Sequence, residues 1–334
     1  MPNALLLGYG LQQPSFRHRM QTLVDPLQAA GWEVRTEQFP SGRYGLRTWE
    51  RRALLRWADV AVLHQIKLST LEMQLFARYC RHGVFDVDDA IYVRKPRTLG
   101  APADDSPWRR KKFDATCRGV DVVAAGNDVL AAVAGPVARR VAILPTSIDT
   151  GAYQPSRLGA DAPPTIAWVG SPENLVYLEI VRPAFARLAQ RHPRLRVKII
   201  CSSFPDWPDV PIDRVVWSKS SEVTALAASH IGIMPLSDDA WARGKCAFKL
   251  LQYMAAALPC VASPIGANAE AVIDGVTGFH ATSVTDWEQR LEQLIDSPTL
   301  RTRFGAAGYA HVQDRYSMAA YRKQYVALLQ EIAS

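Results

Sequence analysis

Short apolar runs alternate along this chain with longer stretches whose apolar residues recur every three or four positions. The first pattern predicts buried strands and the second predicts helices packed against them. In the first half, "ALLLGYG" (Ala4–Gly10) reads as a strand ending in glycines. Residues 17–30, "RHRMQTLVDPLQAA", read as a helix closed by Gly31. "WEVRTEQF" alternates like a strand, "TWERRALLRWA" is helical and "DVAVLHQ" (Asp59–Gln65) is a buried strand. "STLEMQLFARYCRHG" predicts a helix with a serine cap that stops at Gly83. "VFDVDD" follows as a strand, then a polar, proline-broken loop from Arg94 to Trp108, then "VDVVAAGN" and "RVAILPT".

The stretch Asp149–Thr165 holds three prolines and two glycines with little periodicity, which marks a linker. The alternation then restarts: "TIAWVGS" (strand), "LVYLEIVRPAFARLAQRH" (helix), "LRVKIIC" (strand), "EVTALAAS" (helix), "IGIMPL" (strand), "AFKLLQYMAAA" (helix), "PCVAS" (strand), "NAEAVI" (short helix) and "GFHA" (strand). A long helical tail ends the chain. Strand–helix–strand order with buried strands implies parallel sheets covered on both faces. The expected architecture is α/β, two Rossmann-like domains facing each other across a cleft, where ligands sit outside the carboxyl ends of the strands. The expected boundaries are 1–150 for the first domain, 151–164 for the linker, 165–316 for the second domain and 317–334 for a helix returning to the first. Core packing is the expected role of that amphipathic helix, with membrane-surface contact as the alternative.

Composition narrows the class. A chain of 334 residues with 48% hydrophobic and 21% charged residues is an ordinary globular protein of two domains. Its five cysteines have no paired spacing, so free thiols in a reducing compartment are expected. Its seven histidines are dispersed, and neither a metal nor a cofactor is expected. "MPNALLLGYG" lacks a basic segment before its apolar run, and no apolar run reaches the length that spans a bilayer, so a cytoplasmic protein is expected. The net charge of +7 is uneven: residues 1–150 carry 21 Lys+Arg against 15 Asp+Glu, and residues 151–334 carry 18 against 17. The basic first half suits an anionic partner, including the inner face of a membrane, or is simply a soluble surface. No nucleic-acid module is present, and no nucleic-acid partner is expected.

The chemistry concentrates at strand ends. In "WARGKCAFKLLQYMAAALPCVAS" (Trp241–Ser263), Lys245 and Lys249 are four apart at the predicted start of a helix, where the dipole is already positive. A bound phosphate would relieve the repulsion; the alternative is two solvated lysines. The preceding loop supplies Asp238 and Asp239, suited to sugar hydroxyls or to capping, and Arg243, suited to a diphosphate. Gln252, a turn beyond Lys249, could bond a ribose hydroxyl or simply face solvent. Gly170 and Ser171 could admit a phosphate, and Gly266 a ligand; Glu270 faces that ligand or complements its own helix dipole. In the first half, Gly8 and Gly10 form a loop before Arg17, His18 and Arg19, again an anion signal. Asp86, Asp88 and Asp89 cluster at a strand end, suited to a general base, a polyol or, more weakly, a divalent cation.

These segments together resemble the retaining glycosyltransferases of family 4, whose fold, GT-B, is two facing Rossmann-like domains. The resemblance spans nearly the whole chain and rests most on residues 230–280. "DVDD" (Asp86–Asp89) and Trp241–Cys246 are similar to a bacterial subgroup with a DxDD segment and a W-x-R-G-K-C loop. "ILPTSIDTGAYQP" is similar to the interdomain stretch of that family, and "WVGSPENLVYL" to its first donor-domain turn. The resemblance implies a nucleotide-diphosphate sugar donor, UDP- or GDP-linked, held by the second domain, with transfer that retains anomeric configuration and needs no metal. It implies a glycan, lipid-linked or small-molecule acceptor on the first-domain side, lined by Asp88 and Asp89. It implies that Gly170 and Ser171 face the donor phosphates, that Lys245 and Lys249 lie at the diphosphate, and that Gln252 and Glu270 lie near ribose or sugar. The family usually carries two glutamates eight residues apart, and here those positions read Gly244 and Gln252. His230 stands where the subgroup tends to have an aspartate, and the family's histidine near the first-domain strand end has no evident counterpart. The departures leave a second reading: a GT-B protein that binds a sugar nucleotide or a glycan without turnover.

Overall fold

A computed structural model describes residues 1–40, 46–96, 98, 106–155, 158–159 and 161–334. Parts of the expected loop 94–108 and of the linker lie outside the described residues. The first sheet contains β1 (Asn3–Gly8), β2 (Glu33–Gln38), β3 (Val60–His64), β4 (His82–Val87), β5 (Val122–Ala125) and β6 (Val141–Ile143). Its order is β2-β1-β3-β4-β5-β6, and every pair is parallel. The second sheet contains β7 (Thr165–Val169), β8 (Arg196–Cys201), β9 (Ile212–Val216), β10 (Ile231–Met234), β11 (Cys260–Ala262) and β12 (Gly278–His280). Its order is β12-β11-β10-β7-β8-β9, also all parallel. The order reverses beside β1 in one sheet and beside β7 in the other, so both crevices open where the two domains face each other.

Side-chain alternation explains the layers. Along β1, Leu5 and Leu7 enter one core while Ala4 and Leu6 enter another on the opposite face. The second sheet is likewise covered on both faces, with Ile166 and Trp168 on one side and Ala167 and Val169 on the other. The terminal helix, Met318–Ala333, returns to the first domain and buries Met318, Tyr321, Tyr325, Leu328 and Leu329 against Ala4 and Leu6. No helix of the described residues is long and apolar enough to cross a membrane.

Three departures from the expected elements have physical causes. Residues 17–30 form a helix Pro14–Arg19, a 3-10 turn Gln21–Leu23 and a helix Val24–Ala29. Pro26 lacks an N–H and is accommodated only in the first turn of the last piece. "LVYLEIVRPAFARLAQRH" divides the same way, into a 3-10 segment Pro172–Ile180 and a helix Arg182–Arg191 with Pro183 as its second residue. The strand β9 is additional; it sits at the sheet edge, and its half-exposed residues lack the continuous apolar run of a buried strand.

Within the first core lies a buried ion pair. Arg19 and Asp86 are both fully buried. Arg19 donates from Nε to Asp86 Oδ1 at 2.8 Å and from Nη2 to Oδ2 at 2.7 Å. Its Nη1 reaches the Leu144 carbonyl at 2.9 Å and Thr146 Oγ1 at 3.3 Å. Tyr325 donates to Asp86 at 3.2 Å, and Tyr321 donates to the Arg19 carbonyl at 2.9 Å, so the terminal helix is fastened to this pair. Burial alone would raise the Asp86 pKa; the Arg19 charge and the hydrogen bonds from Arg19 and His64 outweigh it and hold the carboxyl far below its usual range. Arg19 and Asp86, expected at the ligand cleft, are therefore spent inside the core.

Asp86→Asn keeps the shape and leaves Arg19 charged without a counter-ion. Urea unfolding should show a loss of about 3–5 kcal/mol. Because the folded pKa of Asp86 is depressed, its contribution is present above the ordinary carboxylate range and is lost as pH falls. The wild-type protein should therefore lose stability in acid more steeply than the variant.

Candidate functional site

The carboxyl ends of both sheets meet around a cavity of about 490 Å³. Arg17 and His18 line it from the first domain, and Gly170, Ser171, Lys249, Gln252, Trp217 and Glu222 line it from the second. The expected helix bearing two lysines needs correction. The helix spans Phe248–Ala255, and its N-cap, Ala247, is left-handed (φ 54°), so only Lys249 is helical. Lys245 stands in the turn before it. The cap supplies no side-chain acceptor, which leaves backbone N–H groups open at this terminus.

The two lysines still share one site, and a third joins them. Lys95, from the segment after β4, donates to Asn174 Oδ1 of the second domain at 3.0 Å. Lys249 is pushed down to about 7, by burial first and then by Lys245 and Lys95. Lys95 is pushed down to about 8, by burial and by Lys245. Asp89, the anion among them, is pushed up to about 6: burial and Asp88 raise it, and Lys245, Lys95 and Lys249 oppose them. The lysine ends are held over aromatic faces, Lys249 5.0 Å from the Trp168 ring centre and Lys245 5.7 Å from that of Trp241. Gly170 has no room for a side chain, since a Cβ there would stand 2.6 Å from the Trp168 ring and 3.1 Å from Lys249 Cε. This is a basic hollow in which, among the described residues, Asp89 is the buried carboxylate facing all three lysines, while Glu173 also acts on Lys95.

Asp88 is fixed beside it. Ser15 donates to Asp88 Oδ2 at 2.7 Å, and Gln65, in left-handed conformation (φ 56°), donates to Asp88 Oδ1. Behind Ser15, His64 Nε2 lies 2.7 Å from the hydroxyl, and His64 Nδ1 lies 2.8 Å from Asp86. A chain of hydrogen bonds thus runs from the core pair to the cleft.

The segment Trp241–Cys246 is a contact between domains. Trp241 and Cys246 pack against the first-domain core. Asn127 donates to the carbonyls of Gly244 and Lys245, both at 3.1 Å. Gly244 touches Ala90 so closely that a Cβ would stand 2.6 Å from the Ala90 Cβ and 2.9 Å from its nitrogen.

Other expected site residues are committed elsewhere. Asp239 caps the short helix Ala240–Arg243, accepting from the Trp241 and Ala242 nitrogens at 2.9 Å. Asp238 pairs with Arg243 at 2.6 Å on the surface. Glu270 is exposed, and partial desolvation and the Asp128 carboxylate raise its pKa. Gly266 (φ 55°) lies against the Arg243 carbonyl. Gly8 ends β1 against Phe16, and Gly10 opens the turn to Gln13. Gln252 is buried and donates to Tyr153 at 3.1 Å and to Glu222 at 2.5 Å. Sequence reasoning missed Lys95, Ser15, His64, Gln65, Asn127 and Glu222. His64 and Gln65 had a usable signal, two polar residues closing a buried strand.

With this geometry in place, comparison with known proteins identifies the architecture. The chain superposes on sucrose-phosphate synthase from Thermosynechococcus elongatus with a TM-score of 0.77 at 14% identity, over 99% of each chain. It superposes on a glycosyltransferase from Rickettsia africae with a TM-score of 0.75 at 12% identity, over 99% of this chain and 98% of the other. HepE from Anabaena, solved in complex with UDP-glucose, gives 0.71 at 14% identity, over 98% and 99%. The fold is GT-B. Residues 163–297 match the family model of the glycosyl transferases group 1. No curated protein sequence matches the chain.

Gly244→Ala should force the loop away from Ala90. Overpacking of this kind costs about 1–3 kcal/mol, measurable by urea unfolding. An unchanged midpoint would show that this loop is not seated on the first domain.

Proposed function

We propose that the chain is a glycosyltransferase that moves a sugar from a nucleotide-diphosphate sugar to an acceptor hydroxyl, with retention of configuration and without a catalytic metal. The observation that carries the reading is the convergence of Lys95, Lys245 and Lys249 below Gly170 at an uncapped helix start. Breaking the glycosidic bond of such a donor places negative charge on the departing diphosphate. Preorganised cations stabilise that charge more in the transition state than in the ground state. UDP is the first nucleotide to test, because HepE of the same fold was solved with UDP-glucose. The acceptor enters from the first-domain side, where Asp88 is held ready to accept a hydrogen bond from a hydroxyl. The surplus positive charge of residues 1–150 suits an acceptor carried on an anionic surface.

One observation favours binding without turnover: Gly244 stands at a position where the resembled family has a glutamate, and Asp238 and Asp239 are both engaged locally. Turnover decides between the two readings.

A thermal-shift panel of UDP, GDP, ADP, TDP and CDP, with and without magnesium, tests the donor site. One nucleoside diphosphate should raise the melting temperature by mass action, equally in either condition. Lys245→Ala with Lys249→Ala should abolish the shift and lower sugar transfer at least a hundredfold with the fold intact. Equal transfer by the double variant would sink the assignment.

Binding should also depend on pH. A phosphate beside Lys249 favours its protonated form, and ionised Asp89 competes with the phosphate for the lysines. Both effects have the same sign, so affinity measured calorimetrically should fall as pH rises from about 6 to about 8. Lys249→Met should flatten that slope.

A further inference from the structure

Glu222 belongs to the helix Lys219–Ala227 and lines the same cavity as Lys249 and Gly170. Three neutral donors surround its carboxylate. Tyr153 donates to Oε1 at 3.2 Å and Gln252 to the same oxygen at 2.5 Å, while the Trp217 indole donates to Oε2 at 2.7 Å. An ionised carboxylate offers about four acceptor positions. Three are taken here, which leaves one on Oε2, and Glu222 is a lining residue of the cavity. Burial raises the Glu222 pKa, and the hydrogen bonds from Trp217 and Tyr153, with the Arg17 charge, oppose it.

The position relative to the lysines sets the scale. Gln252 is three residues beyond Lys249 on one helix, a rise of about 4.5 Å. A group bonded at Glu222 beside Gln252 is thus about one sugar ring away from a phosphate at Lys249. Trp217 closes the cavity next to it, with its ring fixed through the indole N–H.

We propose that Glu222 selects ribonucleotides: its unused acceptor position takes a hydrogen bond from the ribose 2′-hydroxyl of the nucleoside diphosphate. This rests on the donor site proposed above. A 2′-deoxyribose leaves that acceptor position without its ligand partner, which is where the discrimination arises. The helix position that resembles the family's second glutamate carries Gln252, and here the negative charge comes instead from a neighbouring helix, with Gln252 as its donor.

Isothermal titration of the whole chain with UDP and 2′-deoxy-UDP, and with GDP and 2′-deoxy-GDP, tests the inference. The unaltered protein should bind the ribonucleotide about tenfold or more tightly than its deoxy form. Glu222→Gln should weaken the ribonucleotide by that factor, leave the deoxy form nearly unchanged and bring the ratio close to one. Tyr153→Phe removes a partner of Glu222 without removing the carboxylate, and the ratio should survive it. Equal binding of both forms by the unaltered protein overturns the inference while leaving the donor site standing. So does a Glu222→Gln protein that keeps the full ratio, or one that weakens both forms equally. Absence of binding by every nucleotide overturns the donor site, and this inference falls with it. If Glu222→Gln does not fold, Glu222→Asp withdraws the carboxylate by one methylene and should reduce the ratio in the same direction.

Discussion

The Asp86 carboxylate holds the first domain and its cleft-facing side in one arrangement. It sits at the carboxyl end of β4, without solvent, and accepts hydrogen bonds from three separate parts of the chain. Arg19 comes from the helix after β1, His64 from the end of β3 and Tyr325 from the last helix. A buried charge of this kind is costly to remove from water and is retained only where its partners are complete. The requirement runs outward: His64 is aimed by Asp86, Ser15 lies against His64, and Asp88 is held by Ser15. The geometry of the cleft on the first-domain side is thus inherited from an ion pair that never touches it.

On the other side of the cleft the governing term is repulsion. Three lysines and a helix start are held within one hollow by packing on Trp168 and Trp241 and by the Asn174 contact. The Asp89 carboxylate is the buried anion among them, and burial, Lys245 and Lys95 together lower the proton affinity of Lys249 against its pull. The contact of Gly244 and Cys246 with the first domain keeps the two halves of this arrangement together. The donor diphosphate proposed above would add negative charge where these lysines converge.

Most of the architecture was legible in the sequence because buried parallel strands read as continuous apolar runs. "ALLLG", "VAVLH" and "IGIMP" could be little else between amphipathic stretches. The half-exposed edge strand β9 offered no such run and was passed over. The site was less legible, and charge type is the reason. Lys249 and Lys245 were found because like charges near a helix start conflict within a few residues. Asp238, Asp239 and Arg19 looked equally suited to a ligand, yet each had a protein partner, one of them 67 residues away. Nothing in a linear pattern separates a charge that is satisfied in the fold from one that is not. Lys95 and Glu222 were invisible for the converse reason: each sits among unremarkable neighbours and acquires meaning from residues of another element.

The chain passes between the domains twice, before Thr165 and again near Ser317, and the two passages are stitched side by side. Ile148 donates to the Tyr316 carbonyl at 2.9 Å and accepts from Met318 at 3.1 Å. Two covalent connections fastened at one place form a single pivot. Relative motion of the halves is then rotation about that seam, and each contact across the cleft moves in proportion to its distance from it. Groups near the seam, such as the Met318 and Ile148 edge of the cavity, keep their spacing through any swing.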